Sequence, residues 1–322
     1  GLLAKYTMAA FLPSAVLLML LDPRHRRWLL RPQPWVAVLL ALAILSPNLY
    51  WNWAHDFPTF RHTADITEVG HRGWHPNQLL EFIGAQWLSF GPLTGVLLAW
   101  ALFKTPGLWA NRAHRCMLIF LVPLLALVSA QALTGRANGN WAAPIFVASC
   151  LLVPAVFLAE RHRWLVFGVA LNLVGSVASY HWPDIARIAE IPLTAKNDPY
   201  KRARGWVAMA DGVAPYLAAH PGTVLVAEDR ELIAHLVYRL RPAEYAAWNW
   251  NPGAPPIDHY QLVTTLNDKL GRDVLYVGRQ AEIPGFAAHF ASIEPLGKVV
   301  VPIHADFRRE VYVFLLKDFK GY

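Results

Sequence analysis

Long apolar stretches separated by short polar connectors fill the first 180 residues of the chain. Six of them are long enough to cross a bilayer, since about 20 helical residues span the ~30 Å hydrocarbon layer. The only charged side chains within them are those of Lys5 and Glu81, and a buried helix of a soluble protein would seldom run so long without charge. The predicted spans cover residues 2–21, 35–53, 79–103, 116–133, 141–159 and 164–180.

The rest of the chain alternates short β-branched runs with helical patterns. Strands are predicted at 224–227, 274–277, 298–302 and 310–316, and helices at 204–219 and 231–240. This alternation favours a partly parallel layered sheet. The sequence therefore predicts a polytopic α-helical membrane domain over 1–180, followed by a small soluble α/β domain over 181–322. The segment 248–256, rich in Trp, Asn and Pro, is predicted to be an exposed loop that contacts a partner or the membrane surface.

Lysine and arginine are distributed unevenly among the connectors. The connectors after spans one, three and five carry nine of them, and those after spans two and four carry three. The positive-inside rule places the first set in the cytoplasm, so that residues after 180 are extracytoplasmic. The net charge of +7 lies wholly in the membrane half, because residues 181–322 carry 16 basic and 16 acidic side chains. The basic character therefore reflects cytoplasmic loops and excludes nucleic-acid binding.

The connector between the second and third spans is the richest in candidate chemistry. His55, Asp56, Arg61 and His62 fall within eight residues there. Imidazole and carboxylate groups bind metals and guanidinium groups pair with phosphate, so this outer loop predicts a site for a divalent metal or an anionic headgroup. The alternative is a solvated loop whose basic side chains contact lipid phosphates, since the spacing matches no strong metal signature.

Three other positions place polar groups at the same predicted membrane face. Lys5 lies near the outer end of the first span, where it either serves a site or extends its ammonium group to the interface. Glu81, just inside the third span, is expected to turn inward to a basic partner, Arg61 or Lys5. The short connector 134–140 carries Arg136, Asn138 and Asn140 with two glycines, and it forms either a ligand-binding loop or a tight turn.

Several of these segments together resemble a known family. GLLAKYT at 1–7, SPNLYWNWAHDFPTFRH at 46–62, Gln86 with GPL at 91–93, and NWAAP at 140–144 occur in the order found in bacterial family 39 glycosyltransferases. That family is related to protein O-mannosyltransferases and to the aminoarabinose transferase of lipid A, within the glycosyltransferase C superfamily. The likeness covers nearly all of residues 1–180, whereas the soluble half is similar in position and size alone.

The resemblance implies a multi-pass enzyme of the bacterial inner membrane. Such an enzyme takes a sugar from a polyprenyl-phosphate carrier and transfers it to a glycan, lipid or protein acceptor on the outer face. The resemblance also implies that the catalytic base is an acidic residue upstream of Gly1. Because the chain begins inside an apolar run without a Met, we expect it to be a piece of a longer protein, inactive without its upstream part.

Glycosyl transfer from a lipid phosphate needs cations that stabilise the phosphate leaving group. Lys5, Arg61 and Arg136 are placed at the outer interface to do so. His55 and Asp56 would ligate a divalent metal there or fix the loop. The remaining candidates for the substrate site are His62, Glu81, Asn138 and Asn140.

Two other functions compete with this interpretation. A transporter would carry inward-facing charges near the bilayer midplane and inverted repeats, and neither is seen in the sequence. A non-catalytic anchor or assembly protein would bind a partner through its outer domain. In that case the basic and histidine residues of the first outer loop would be replaceable without loss of function.

The predicted topology can be tested with single cysteines in a background lacking Cys116 and Cys150. An impermeant thiol reagent applied to intact cells should label positions in 54–78 and leave positions in 22–34 and 104–115 unlabelled. Labelling of Arg112→Cys from outside would reject the assigned sides.

Overall fold

The computed structural model describes residues 1–4, 6–67, 73–159, 161–227, 229–248, 256–282 and 285–322. The chain divides into two compact units, Gly1–Ser179 and Tyr180–Tyr322. The first unit is helical and the second is built on a β-sheet. Lys5 and most of the loop predicted at 248–256 lie outside the described residues.

Apolar helices joined by short turns make up the first unit. They are α1 (Phe11–Leu21), α2 (Pro23–Arg26), α3 (Pro32–Ala54), α4 (Pro58–Thr67), α5 (Pro76–Phe90), α6 (Pro92–Lys104), α7 (Arg112–Thr134), α8 (Ile145–Phe157) and α9 (His162–Tyr180). Short 3-10 segments, Tyr6–Ala10 and Gly139–Ala142, come before α1 and α8. Phe82 of α5, Leu121 of α7 and Leu152 of α8 meet in the main core of the unit.

Among the described residues, three helices, α3, α7 and α9, are long and apolar enough to cross a membrane. The bent pair α5–α6 is a fourth candidate, and α1 and α8 are shorter apolar helices. The helical class is thus confirmed, but six unbroken spans are not. Regular helix begins only at Phe11 in the first predicted span and at Ile145 in the fifth. Pro13 and Pro144 lie at these starts, where a residue without an N–H is tolerated but cannot continue a helix from upstream.

The third predicted span is broken at Gly91 and Pro92, where α5 and α6 meet at a bend of 110°. Pro92 has no N–H to continue the helix, and Gly91 has a φ of 99°, which favours glycine. The Asn172 side chain of α9 donates hydrogen bonds to the Phe90 carbonyl and to the Thr94 hydroxyl, each at 3.0 Å. The carbonyl at the break therefore keeps a partner in an apolar surrounding.

The connectors of the first unit gather at its two ends. At one end, Arg112 Nε lies 2.5 Å from Asp22 Oδ2, which joins the connector after α1 to the start of α7. At the other end, the His75 N–H donates to the Leu133 carbonyl at 2.8 Å. Connectors predicted to share a side of the membrane thus share an end of the unit. Which end faces the cytoplasm stays a prediction.

The second unit contains a five-stranded sheet with the order β2-β1-β3-β5-β4. Its elements are α10 (Trp182–Ile188), α11 (Trp206–Ala219), β1 (Val224–Ala227), α12 (Arg230–Leu240), β2 (Tyr245–Ala247), α13 (His259–Val263), β3 (Val274–Gly278), β4 (Phe290–His304) and β5 (Phe307–Phe319). Strand β1 pairs in parallel with β2 and β3, whereas β5 pairs antiparallel with β3 and β4. The predicted partly parallel sheet is confirmed, and every predicted strand and helix is present in the second unit.

One prediction for this unit is wrong. Trp248, expected in an exposed loop, is only 6% exposed and packs in the core on one face of the sheet with Phe290 and Phe314.

A buried carboxylate ties the segment before α11 to the β4–β5 hairpin. The Asp198 side chain accepts hydrogen bonds from Arg204 Nε at 2.7 Å, from His304 Nε2 at 2.8 Å and from the Tyr200 N–H at 2.8 Å. Burial alone would raise the pKa of Asp198, but these hydrogen bonds outweigh burial and hold its pKa below the ordinary value.

Asp198→Asn should therefore lower the free energy of unfolding at pH 7 by about 1–3 kcal/mol. Because the folded-state pKa lies below the unfolded one, the carboxylate stabilises the fold above the unfolded pKa, and this stabilisation is lost as the pH falls through the folded pKa. The difference between variant and wild type should shrink in acid, as measured by denaturant unfolding at several pH values. Asp184→Asn, at an exposed carboxylate, is the control, and equal effects of the two variants at pH 7 would contradict the role of Asp198.

Candidate functional site

A buried asparagine organises the segment 46–62 into a helix, a turn and a second helix. Asn52 is fully buried, and its Nδ2 donates to the Asn48 carbonyl at 3.0 Å and to the Tyr6 hydroxyl at 3.2 Å. Its Oδ1 accepts from the Thr59 N–H at 3.3 Å. One side chain thereby joins the 3-10 segment before α1, the end of α3 and the start of α4.

Asp56 and Phe57 turn the chain from α3 into α4. Both have a left-handed backbone, with φ values of 60° and 57°. A left-handed backbone is uncommon in residues other than glycine, and it persists where contacts with the surrounding structure hold it in place. Here the Phe57 N–H bonds the Asn52 carbonyl at 2.6 Å. The part of the predicted outer loop up to Thr67 is therefore a tight turn followed by a ten-residue helix, which carries Arg61 and His62 on its exposed surface.

The end of α4 is attached to the connector 134–140 through Gln131 of α7. Gln131 Nε2 donates to the Thr67 carbonyl at 2.9 Å and to the Arg136 carbonyl at 3.2 Å. A Cβ at Gly135 would lie 2.7 Å from the Thr67 carbonyl oxygen, so a residue without a side chain lets the two segments approach. Gln131 was not among the residues predicted from the sequence, and the signal that could have revealed it is an amide near the end of an otherwise apolar helix.

Gln86 holds the same connector from the side of α5. Its Nε2 donates to the Gly139 carbonyl at 2.6 Å, and the residue is only 6% exposed. Gln86 belongs to the segments that carry the family resemblance, but the sequence predicted no role for it. The two glutamines together fix the main chain on both sides of Asn138 and leave the Asn138 side chain exposed.

Arg61 and Arg136 lie at the same end of the first unit. Arg61 precedes Thr67 by less than two turns of α4, and Gln131 joins Thr67 to Arg136. Both arginines are exposed, and within the described part of the chain neither forms an ion pair. Guanidinium groups in this state are available to bind an anionic ligand.

The other predicted substrate residues divide into two groups. His62, Asn138 and Asn140 are exposed at this end of the unit, as a substrate site requires. Glu81 is not where it was expected. It lies on the exposed side of α5, whose buried side is formed by Phe82 and Gln86, and among the described residues it has no ion pair with Arg61. Its other predicted partner, Lys5, lies outside the described residues, so that pairing stays a prediction.

His55 and Asp56 do not by themselves form a metal site. His55 Nδ1 lies 2.8 Å from the Trp51 carbonyl oxygen, and its ring stacks on Trp51 at 4.6 Å, so only Nε2 remains for a ligand. Over the described ranges of the chain, no three His, Cys, Asp or Glu side chains are arranged to hold a metal ion. A divalent metal at this turn stays a prediction, and the contacts of His55 favour its alternative role in fixing the loop.

An apolar cavity of about 370 Å³ opens between α1, α7 and α8. Phe11, Phe120 and Leu151 contribute to its walls. Met8 and Pro144 also line the cavity. Met8 belongs to the 3-10 segment Tyr6–Ala10, and Pro144 follows the 3-10 segment Gly139–Ala142 by two positions. The volume lies within the range of about 300–1,000 Å³ that is usual for ligand pockets.

Comparison with known proteins gives three matches. Residues 1–51 match the family described as dolichyl-phosphate-mannose-protein mannosyltransferase. The chain is 27% identical over 276 residues to a lipid A galacturonosyltransferase of Rhizobium johnstonii, which covers 85% of this chain and 57% of that protein. It is 28% identical over 197 residues to a lipopolysaccharide core galacturonosyltransferase of the same organism, covering 56% of this chain and 40% of that protein. No solved structure matches the chain.

The chain thus spans little more than half the length of the first of these relatives and less of the second. An alignment of 276 residues is longer than the first unit, so the similarity includes part of the sheet-containing unit. These matches confirm the resemblance found in the sequence: the chain is similar to a mannosyltransferase family over residues 1–51 and to two galacturonosyltransferases, which is consistent with a family 39-like glycosyltransferase.

Proposed function

We propose that the protein transfers a galacturonosyl group from a polyprenyl-phosphate carrier to lipid A or the lipopolysaccharide core on the extracytoplasmic face of the bacterial inner membrane. The names of the two relatives support the sugar and the acceptor. The observation that supports the carrier is the pair of exposed arginines, Arg61 and Arg136, which form no ion pair among the described residues. They lie at the end of the unit that also carries the 3-10 segment Tyr6–Ala10, from which Met8 lines the apolar cavity.

A polyprenyl phosphate has an apolar chain and an anionic head, and the two features of the site match these parts. The cavity between α1, α7 and α8 would hold the chain nearest the phosphate, since its walls are almost entirely apolar. The arginines, together with Lys5, would bind the phosphate. Lys5 lies outside the described residues, but it is next in sequence to Tyr6, whose hydroxyl accepts a hydrogen bond from Asn52.

In the proposed reaction the acceptor hydroxyl oxygen attacks C1 of the sugar. The bond from C1 to the phosphate oxygen breaks, and the phosphate leaves with an additional negative charge. Guanidinium groups near that oxygen stabilise the charge as it develops, which lowers the barrier to transfer. The proton of the acceptor hydroxyl passes to a base, and the family resemblance assigns that role to an acidic residue upstream of Gly1.

A galacturonosyl donor carries a second anionic group, the sugar carboxylate. Two arginines can serve both anions, because each guanidinium can form paired hydrogen bonds with one phosphate or one carboxylate. Asn138 and Asn140, exposed on the same connector as Arg136, would bind the sugar hydroxyls, since an amide both donates and accepts.

In the intact enzyme, Arg61→Gln and Arg136→Gln should each lower the rate of transfer from polyprenyl-phosphate galacturonate about ten- to a hundredfold. A charge-assisted hydrogen bond contributes about 1.5–3 kcal/mol, which corresponds to a rate change of that size. Arg24→Gln, in the connector at the opposite end of the unit, is the matched control and should leave the rate near wild type. If both variants keep wild-type transfer, the arginines are surface charges and the site is misplaced.

A separate test concerns Gln86, which holds the main chain of the connector that carries Arg136. Gln86→Leu leaves the Gly139 carbonyl without its donor, at a cost of about 1–3 kcal/mol, and should raise KM for the lipid-linked donor more than it lowers kcat. Gln33→Leu, at an exposed amide near the start of α3, is the control. Gln86→Glu should recover activity as the pH falls, because only a protonated carboxyl can donate to that carbonyl. A pH-independent defect would show that the hydrogen bond is not what positions the connector.

A further inference from the structure

Helix α10, at the start of the second unit, carries isoleucine side chains that the described residues leave partly or largely exposed. Ile185 is 37% exposed, Ile188 is 80% exposed, and Ile191, just beyond the helix, is 42% exposed. Ile185 and Ile188 are three positions apart and therefore lie on the same side of the helix. Single exposed apolar residues need no explanation, but three together on one short segment form an apolar surface.

The opposite side of α10 is fixed to the body of the second unit. Ala186 is fully buried, and Trp182 Nε1 donates to the Asn197 carbonyl at 2.8 Å. Asn197 is itself held, because its Oδ1 accepts from the Thr194 N–H at 2.7 Å. The orientation of α10 on its unit is therefore set by specific contacts, and the isoleucine side is the side that points away from them.

The end of α10 is also built in a defined way. The Ile191 N–H donates to the Ala186 carbonyl at 2.8 Å, and the Glu190 N–H donates to the Arg187 carbonyl at 3.3 Å. Glu190 has a φ of 56°. This is the hydrogen-bond pattern of a Schellman cap, with Glu190 at the left-handed position. The cap fixes Ile191 next to the helix end, so the apolar surface continues past Ile188.

The position of α10 in the chain indicates what covers this surface. Helix α9 is one of the helices long and apolar enough to cross a membrane, and it ends at Tyr180. Ile185 follows Tyr180 by five positions, which is at most about 18 Å of chain. The headgroup region beyond the hydrocarbon is itself about 5–8 Å thick on each side. An apolar surface so close to the end of a span lies within reach of lipid.

The polar edge of α10 fits the same environment. Arg187 is exposed beside the isoleucines, with its guanidinium 3.2 Å from Asp184. Helices that lie along a bilayer surface place apolar side chains toward the acyl chains and basic side chains at the level of the lipid phosphates.

We infer that the surface formed by Ile185, Ile188 and Ile191 inserts into the interfacial region of the bilayer that α9 crosses, with Arg187 among the lipid phosphates. The contact would hold the second unit in one orientation against the membrane. It depends on α9 being a membrane span and not on the proposed glycosyl transfer.

The test places a single environment-sensitive fluorophore on the complete protein reconstituted in phospholipid vesicles, after Cys116 and Cys150 are replaced by alanine. Ile188→Cys carries the label, and Tyr238→Cys, at an 83% exposed position of α12, is the matched control. Iodide should quench the label at 188 at least about threefold less than the label at 238, and acyl-chain nitroxide lipids should quench only the former. Ile185→Cys should behave like Ile188→Cys.

Equal quenching by iodide at 188 and 238 would overturn the inference, because the surface would then be in water. Protection from iodide without quenching by nitroxide lipid would also overturn it, because a protein surface and not lipid would then cover α10.

Discussion

In an apolar surrounding every main-chain carbonyl needs a hydrogen-bond donor, and this requirement determines how the helical unit of this protein is built. Where helices break or end, side-chain amides supply the donors. Gln86, Gln131 and Asn172 each lie in an otherwise apolar helix and each donates to a main-chain carbonyl at such a point. Asn52, near the end of α3, instead accepts from the Thr59 N–H at the start of α4. Where such an amide is the only donor to its carbonyl, its removal leaves a buried polar group unpaired, which costs about 1–3 kcal/mol.

Three of these amides act at one end of the unit, and the candidate site depends on them. Asn52 joins the turn before α1 to the start of α4, and Gln131 joins the end of α4 to the connector that Gln86 holds from the other side. Arg61 and Arg136 are thereby carried on segments whose main chains are fixed. Fixed donors stabilise developing charge better than mobile ones, because they need little reorganisation during the reaction.

Residue patterns predicted the sheet-containing unit well and the helical unit only in outline. Strands such as β1 are bounded by turns and contain a continuous β-branched run, which local sequence reveals. The bend at Gly91 was missed because a hydropathy average does not register the single residue Pro92. The hydrogen bond that compensates for the break comes from Asn172, which lies 82 positions after its acceptor Phe90. The prediction for Glu81 was wrong because it considered only the free-energy cost of exposing a charged side chain to lipid. Phe82 and Gln86 occupy the inner side of α5, which leaves Glu81 on its exposed side.

The positions of Arg61 and Arg136 at one end of the unit followed correctly from counting spans. Two connectors that are separated by two crossings return to the same side of the membrane.

In the proposed complex, the lipid chain of the donor lies between α1, α7 and α8, with its phosphate at the end of the unit that carries Arg61 and Arg136. Photo-crosslinking tests this placement, using a polyprenyl phosphate with a diazirine near the phosphate and the full-length protein in membranes. We expect adducts on cavity residues such as Phe11, Phe120 and Leu151, and their loss when Arg61 and Arg136 are both replaced by glutamine. Adducts confined to the exposed surface of α3, with the cavity unlabelled, would contradict it.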